Sequence, residues 1–496
     1  MIPDMVNLSL IANPQLHTWA QTAEAGLQTL LQAPDTTLGH LEEFLEAQAR
    51  RLMLPILGAA AQALAGRQAF LCPICHRPLL GAAKNRRRTL DTVFGSFCLQ
   101  RDYGWCPHCA EYCSPADQAL GLQPQAAASP RVQEIAGLLS LRGPYAQAAK
   151  DAKRLTGLSF NPASLHRQAN RQGQRAIQLR QRDIELAQTP QGLLQLSARS
   201  ATSKRGPFTL IIEIDAWNIR ERDDWGKTKK LRRQGQQPER WHWVFTATVF
   251  RLDQRGQTQG GRRVISERGY VVTRQGLEAF TQMLYVEALL RGLLQADQVL
   301  VIADGAIWIW NLAGDRFKDA KQRVDLFHVK EHLYELAKTL YGEGTAQAQQ
   351  WLKPLLRFLE SRKEGALDVL HQLQDLRQQL QGLTTSQQEK LDQEIGYFTT
   401  HHKRMDYKQA KANGEPVGSG PVESTARQYQ TRFKCTGQFW TLQGDEPLLA
   451  LATLYRNERW HLLYPHAAPT PSGSQNAQNQ IPKNARLALA GKPRQR

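Results

Sequence analysis

"VLVIADGA", residues 299–306, decides the architecture of the larger half of this chain. The apolar run from Val299 to Ala303 reads as a short strand buried on both faces, because it carries no polar alternation. It ends at Asp304, and Gly305 then turns the chain into the helix-like "IWIWNLAG". The carboxyl end of a buried strand is where open α/β sheets place functional groups. Upstream, "FTLIIEID" (208–215) alternates with period two. Leu210, Ile212 and Ile214 then share one face, and Ile211, Glu213 and Asp215 the other. Asp215 is therefore expected at the exit of a strand whose apolar face is committed to a core. "WHWVFTATVF" (241–250) and "RRVISERGYVV" (262–272) are two further β-rich runs, and a helical stretch from Leu277 to Leu294 follows them. Downstream, "EPVGSGPVES" (415–424) sets Glu423 at the opening of a helix, behind a glycine-rich turn.

Taken singly, each acid has a plain reading: Asp215 as a turn residue, Asp304 as a helix cap, Glu423 as a first-turn charge favoured by the helix dipole. Together, two strand-end aspartates and a helix glutamate can hold two divalent cations about 4 Å apart, the arrangement that drives phosphodiester displacement. Hard oxygen ligands suit Mg²⁺ or Mn²⁺. Three strands, a helix, a strand and a late helix in this order fit a ribonuclease-H-like α/β catalytic domain.

The bulk properties agree with a nucleic-acid enzyme. The 496 residues are too many for one core, so three or four domains are expected. Lysine and arginine outnumber the acids 63 to 45, a net charge of +18. Such a surplus favours a polyanionic partner, because Lys and Arg neutralise phosphates. The start "MIPDMVNLSL" has no basic segment leading into an apolar core, and the apolar stretch from Met53 to Gly66 is too short to span a bilayer. No membrane is expected, and the expected location is the cytoplasm, with the nucleoid.

Six of the seven cysteines lie between Cys72 and Cys113. "CPIC" (Cys72, Cys75) and "CPHC" (Cys106, Cys109) are two knuckle-forming pairs, and four thiolates close a tetrahedral, structural zinc site. A redox dithiol needs one pair, not two. Cys98 and Cys113 are spare, and His76 and His108 are read as solvated neighbours. Two hairpins fit between the knuckles, with the basic "KNRRR" (Lys84–Arg88) at a tip where Arg86, Arg87 and Arg88 would reach DNA. Next, "SPRVQEIAGLLSLRGPYAQAAKDAKRLTGLSFNPASLHRQANRQGQ" has the layout of a helix-turn-helix. Gly157 ends one helix, and Asn161 or Ser164 caps the next. That helix would expose His166, Arg167, Asn170 and Arg171 to a major groove. A basic loop between the first two strands adds Lys229, Lys230, Arg232 and Arg233.

The blocks "IADGAIWIWNLAGDRFKDAKQRVDLFHVKEHL" and "VGSGPVESTARQYQTRFKCTGQFWTLQGDEPLLALATLYRNERW" resemble the catalytic blocks of bacterial insertion-sequence transposases of the DDE class, ISKra-type, akin to the Mutator-like transposases. The resemblance covers roughly residues 205–460. It implies that Asp215, Asp304 and Glu423 are the metal-binding catalytic acids, with an all-α insertion before the glutamate. The family's Asp/Cys-x-x-His motif matches Asp325 and His328; by that example His328 orients scissile DNA or a metal-bound water, the alternative being a satisfied histidine at a strand-to-helix turn. The glycine turn matches Gly418, Ser419 and Gly420. "R-x-K-x-x-G-x-x-W" matches Arg432, Lys434, Gly437 and Trp440, with Arg432 and Lys434 on DNA and Trp440 in the core.

The implied activity is metal-dependent cleavage at element ends and joining to target DNA. The partners are the terminal inverted repeats and target DNA, bound by a homodimer or larger homo-oligomer. A ribonuclease-H-like nuclease or resolvase, or a non-enzymatic DNA-binding regulator derived from a transposase, are the rival readings. The expected fold is multidomain α+β. It comprises an N-terminal helical region (1–65), a zinc-ribbon-like module (66–118), a helix-turn-helix-like region (119–195), the first part of the catalytic domain (196–338), the helical insertion (339–400), the last part of the catalytic domain (401–464) and a disordered basic tail (465–496). His401 and His402 are read as surface residues.

Overall fold

The computed structural model describes residues 14–124, 126–200, 206–222, 226–237 and 239–465. Residues 1–13 of the expected helical region and 466–496 of the expected tail lie outside the described residues. The structure is mixed α+β and divides into two compact units, Met1–Ala169 and Asn170–Arg496.

In the first unit, helices Pro14–Gln32 and Leu38–Gly66 pack together, and the Trp19 indole N–H donates to the Gln48 carbonyl at 2.8 Å. Strands β1 (Leu80–Thr92), β2 (Gly95–Cys106) and β3 (Glu111–Cys113) form an antiparallel sheet in that order. One long hairpin, not two, spans the distance between the cysteine pairs. Its tip is Val93–Phe94, because Thr92 pairs directly with Gly95, whose φ of 131° closes the turn. Lys84–Arg88 therefore lie within β1 and not at a tip, a correction to the reading above. Ala61, Leu90, Leu99 and Leu122 form a small core between this hairpin and the long helix. Helices Pro130–Ser140, Tyr145–Thr156 and the start of Pro162–Leu186 follow. Gly157 (φ 67°) ends the second of these, and the Asn161 side chain accepts from the Ala163 N–H at 2.8 Å to cap the third.

The second unit is built on β4 (Thr209–Glu221), β5 (Arg240–Arg251), β6 (Arg255–Gln257), β7 (Arg263–Ile265), β8 (Gly269–Thr273), β9 (Gln298–Ala303) and β10 (Lys321–Val324). The main sheet has the order β10-β9-β4-β5-β8. β4, β5 and β8 form an antiparallel meander, and β9 and β10 join in parallel on the β4 side. β6 and β7 form a separate hairpin. The alternation in β4 is as read: Leu210, Ile212 and Ile214 enter the large core with helix Leu277–Leu290, while Ile211 packs with Phe250, Leu300 and Ile302 on the other face. That other face carries helix Gly420–Phe433.

Helices Leu326–Tyr341, Ala346–Ser361, Gly365–Gln379 and Thr385–His401 pack in succession, and the last returns against the first. Leu333, Leu352, Leu359, Leu373, Leu391 and Phe398 join them to the large core. Close approach fixes another helix here. A Cβ at Gly173, on helix Pro162–Leu186, would stand 2.1 Å from the Pro447 carbonyl oxygen, so any side chain would force that helix away from Leu442–Arg456. No described helix is long and apolar enough to cross a membrane.

Candidate metal centre and candidate active site

The first site is local. Each Cys-x-x-Cys pair folds into a knuckle: the Ile74 N–H points at the Cys72 sulfur and the Cys109 N–H at the Cys106 sulfur, both at 3.4 Å. Left-handed His76 (φ 60°) and Ala110 (φ 53°) turn the chain after each pair. The Sγ atoms of Cys72 and Cys109 are 3.8 Å apart, and those of Cys75 and Cys106 are 3.5 Å apart. A tetrahedron with metal–sulfur bonds of about 2.3 Å has edges of about 3.8 Å, so the four thiols can hold a metal such as zinc. The N–H of Cys75 holds the Cys72 thiol down at about 6, whereas the Cys109 thiol, hydrogen-bonded to Cys75 and partly desolvated, is pushed up to about 12. His108 Nδ1 lies 3.9 Å from the Cys109 sulfur, outside the four-thiol set. Cys98 is exposed, while Cys113 packs against the cluster, where burial and then Cys72 push its thiol up to about 11.

The second site draws on distant parts of the chain. Parallel pairing of β4 with β9 ends at Glu213↔Ile302; Asp215 and Asp304 each lie two residues beyond that pair, and Asp304 acts on Asp215 electrostatically. Asp215 is mid-strand and not at a strand exit: the β4–β5 hairpin runs on to Glu221↔Arg240, and only the parallel partner stops. Gly305, at φ 111°, turns the chain away after Asp304, and a Cβ there would meet the Tyr397 ring at 3.0 Å. Glu423 occupies the first turn of helix Gly420–Phe433, with Arg427 at 3.7 Å. Burial pushes the Asp215 carboxyl up to about 6; the Ala216 N–H opposes this, Asp304 and Glu423 add to it, and His328 draws it back. Three carboxylates and a histidine thus act on one another electrostatically.

Asp325 assembles this site. Its side chain accepts from the N–H groups of Phe327 at 2.5 Å and His328 at 3.2 Å, capping helix Leu326–Tyr341. Its other oxygen accepts from the Ser419 hydroxyl at 2.6 Å and from the Ser419 N–H. The glycine turn is thereby tied to the end of β10, and the helix bearing Glu423 starts from that anchor. Burial would raise the Asp325 carboxyl, but His328 and Ser419 hold it at about 2. The Asp325 partner pushes His328 up to about 9 despite its half-burial. Asp325, His328 and Glu423 bring one ligand atom each within 4.8 Å of one another. Asp325 is committed to hydrogen bonds, and His328 Nδ1 stands 3.6 Å from its carboxylate, buried without a hydrogen-bond acceptor of its own, so this set clamps the turn beside Glu423 as well as offering ligand atoms. Among the described residues, Asp215, Asp304 and Glu423 do not form a set within that same limit.

Two supporting features have no local sequence signal. Glu213 is fully buried between β4 and the glutamate helix, accepting from the Val422 N–H at 2.9 Å and the Thr248 hydroxyl at 3.2 Å, and burial pushes it up to about 8. Tyr397, from the helical insertion, donates to the Asp304 carbonyl at 3.3 Å and stacks on His332 at 3.9 Å. His401 is buried against Tyr397 and Trp310, and burial lowers it to about 4, while half-buried His402 turns Nδ1 to the Phe398 and Thr399 carbonyls. The surface reading of both histidines is corrected, because the insertion packs its last turn inward.

The expected DNA-contact residues fall into two groups. Arg86, Arg87, Arg167, Arg171, Lys229, Lys230, Arg232, Arg233 and Lys434 are exposed, with Arg232 also 3.0 Å from Glu239 and Lys434 over the Trp217 ring. The others are engaged. Arg88 pairs with Asp117 at 2.7 Å and donates to the Gln123 and Ala126 carbonyls. Arg432 is buried against Trp440, itself in the core. His166 stacks edge-on against Tyr145 and is half-buried, as is Asn170, so the helix does not expose all four side chains. Exposed Trp241 and Trp243, on the extension of the β4–β5 hairpin, were not singled out from sequence. Comparison of the chain with models of protein families and with curated proteins gives no match in either.

Proposed function

We propose that the chain is a DDE-class DNA transposase, an enzyme that cleaves element ends and joins them to target DNA in a ribonuclease-H-like catalytic unit. The observation that carries this reading is the approach of Asp215, Asp304 and Glu423 from a central strand, the end of its parallel neighbour and a later helix, with Asp215 raised first by burial and further by the charges of the other two. The sheet order supports it: an antiparallel meander extended by two parallel strands on the side of its first strand, with helices on both faces.

Asp215, Asp304 and Glu423 would hold two Mg²⁺ or Mn²⁺ ions, and the repulsion felt at Asp215 is what divalent charge relieves. When bound, such ions activate the attacking oxygen and stabilise the leaving oxygen. Asp325 keeps the glutamate helix in register, and His328, when protonated, can donate to a phosphate oxygen beside the carboxylates. Attack of water on a phosphodiester at the element end leaves a 5′-phosphate and frees a 3′-hydroxyl; that hydroxyl then attacks a phosphodiester of target DNA, forming the new ester bond as the target P–O3′ bond breaks and releases a target 3′-hydroxyl. The four-thiol ribbon is a structural element, its metal being zinc, and two ends require two or more copies of the chain. The exposed arginines and lysines supply the sequence-independent part of DNA affinity.

The test uses purified protein, a plasmid bearing the gene's native flanking DNA, and Mg²⁺. Breaks at fixed positions are expected with the parent, and Asp304→Asn should reduce them by about three orders of magnitude or more with DNA affinity unchanged. Retained cleavage in the variant sinks the assignment. Breaks without joined products favour the resolvase, and binding without breaks favours the regulator.

A further inference from the structure

At the far end of the second unit's sheet lies a cavity of about 820 Å³ that the carboxylate chemistry does not use. It is bounded by Arg251 at the end of β5, by the chain entering β8, and by the last turns of helices Leu277–Leu290 and Leu442–Arg456. Arg251 pairs with Leu210 while Asp215 pairs with Thr246, so the two sites lie about 17 Å apart along β5, at ~3.4 Å per residue.

Seven arginines line this cavity, against three acids. Four of the arginines are committed: Arg199 to Asp183 at 2.6 Å, Arg251 to Asp253 at 2.8 Å, and Arg291 and Arg459 to buried Glu287 at 3.0 and 2.7 Å. Asp253 and Glu287 are not lining residues; counting them too, seven positive charges face five negative ones, a surplus of two. Arg182, Arg268 and Arg456 have no carboxylate partner among the described residues, and Arg268 Nε is buried without an acceptor. A buried N–H of a guanidinium without an acceptor is costly, and an oxyanion removes that cost.

We propose that this cavity is a phosphate-binding site that takes two adjacent phosphodiesters of a DNA strand, apart from the carboxylate site. Guanidinium forks match phosphate oxygens two at a time, and two monoanionic phosphodiesters balance the surplus of two. The identity of the occupant rests on the DNA reading above; the anion chemistry does not.

The test measures binding of a labelled duplex by fluorescence anisotropy between about 50 and 200 mM salt, where phosphate contacts dominate the salt dependence. It compares the full-length parent, Arg182→Glu, and Arg182→Ala/Arg268→Ala. Arg182 is exposed, so its reversal tests the site without risk to the fold. The double variant should bind about tenfold more weakly, with the slope of log K against log salt smaller by nearly 2, and Arg182→Glu should also weaken binding. Unchanged affinity and slope in both variants overturn the proposal while leaving the DNA reading intact. Weakened binding in the variants of a parent that cleaves nothing upholds the site and sinks the transposase instead. Thermal stabilisation of the parent by tripolyphosphate, lost in the variants while duplex binding is unchanged, overturns DNA as the occupant.

Discussion

Four thiols between Cys72 and Cys109 stand at metal-binding separations on two knuckles, each closed by its own backbone. Asp215, Asp304 and Glu423 ride on elements drawn from across the second unit, and they act on one another electrostatically without closing into a compact ligand set. The thiol site has little solvent around it and no open position, which suits a metal that is part of the fold. The carboxylate site stays partly exposed, and its order comes from a second layer: Asp325 on Ser419, Glu213 on Val422, Tyr397 on Asp304. A ligand set written into one short stretch of chain can carry stability. One assembled over long range depends on its scaffold.

The largest loss is expected at the thiols. Cys72→Ser, or chelation, should unfold the ribbon at the cost of several kcal/mol, on the order of 5 or more. Differential scanning calorimetry of the full chain should then show one transition shifted and the transition of the carboxylate unit in place; two unmoved transitions would mean the thiols hold no structural metal. Metal analysis should give one zinc per chain.

At the carboxylate site the scaffold is the sensitive part. Asp325→Asn removes the partner of His328 and the acceptor for Ser419, at a cost of about 2–3 kcal/mol. Its pH dependence has a definite sign. Asp325 is lowered from 3.8 to about 2, so its contribution is present above pH 3.8 and lost as pH falls through 2; His328 is raised from 6.5 to about 9, so its contribution is present below pH 6.5 and lost as pH rises through 9. The stability difference between parent and variant should be largest between pH 4 and 6.5, and urea titrations across pH would expose a flat difference as an error in the pairing.

Glu213→Gln tests the scaffold in the opposite direction. The folded chain holds a proton on Glu213 up to about pH 8 that the unfolded chain loses above 4.5, so stability falls as pH rises between those values. The neutral amide escapes that fall. The variant should melt closer to the parent at pH 5 than at pH 8, where it should be the more stable; an equal difference at both values would mean Glu213 ionises normally. The smallest effect is expected in the first unit, where Arg167→Ala with Arg171→Ala should weaken DNA binding severalfold and lower the salt slope by about 1–2, read by the same anisotropy titration.

Much of this was legible in advance. Period-two alternation put Leu210, Ile212 and Ile214 on one face, the Cys-x-x-Cys pairs marked the metal centre, and Gly157 and Asn161 marked helix ends; each is a rule of nearest neighbours. Asp304 and Glu423 were readable because a strand end and a helix start are local events. What was misread depended on partners far away in the chain. "KNRRR" reads as a tip until the pairing of Thr92 with Gly95 sets the turn elsewhere, and Asp215 reads as a strand exit until β5 prolongs β4. His401 reads as solvent-exposed until the insertion packs on Trp310.

The sequence by itself determined the element types, the faces of β4, the four-thiol set that could hold a metal and the positive charge, because side-chain period, turn residues and thiol spacing act over a few residues. Only the tertiary structure decided which acids meet, that Asp325 serves as a clamp, that Arg88 and Arg432 are engaged within the fold, and that Arg182, Arg268 and Arg456 share a cavity. Register, burial and the commitment of a charge to one partner are properties of contacts between residues far apart in sequence, and no local pattern encodes them.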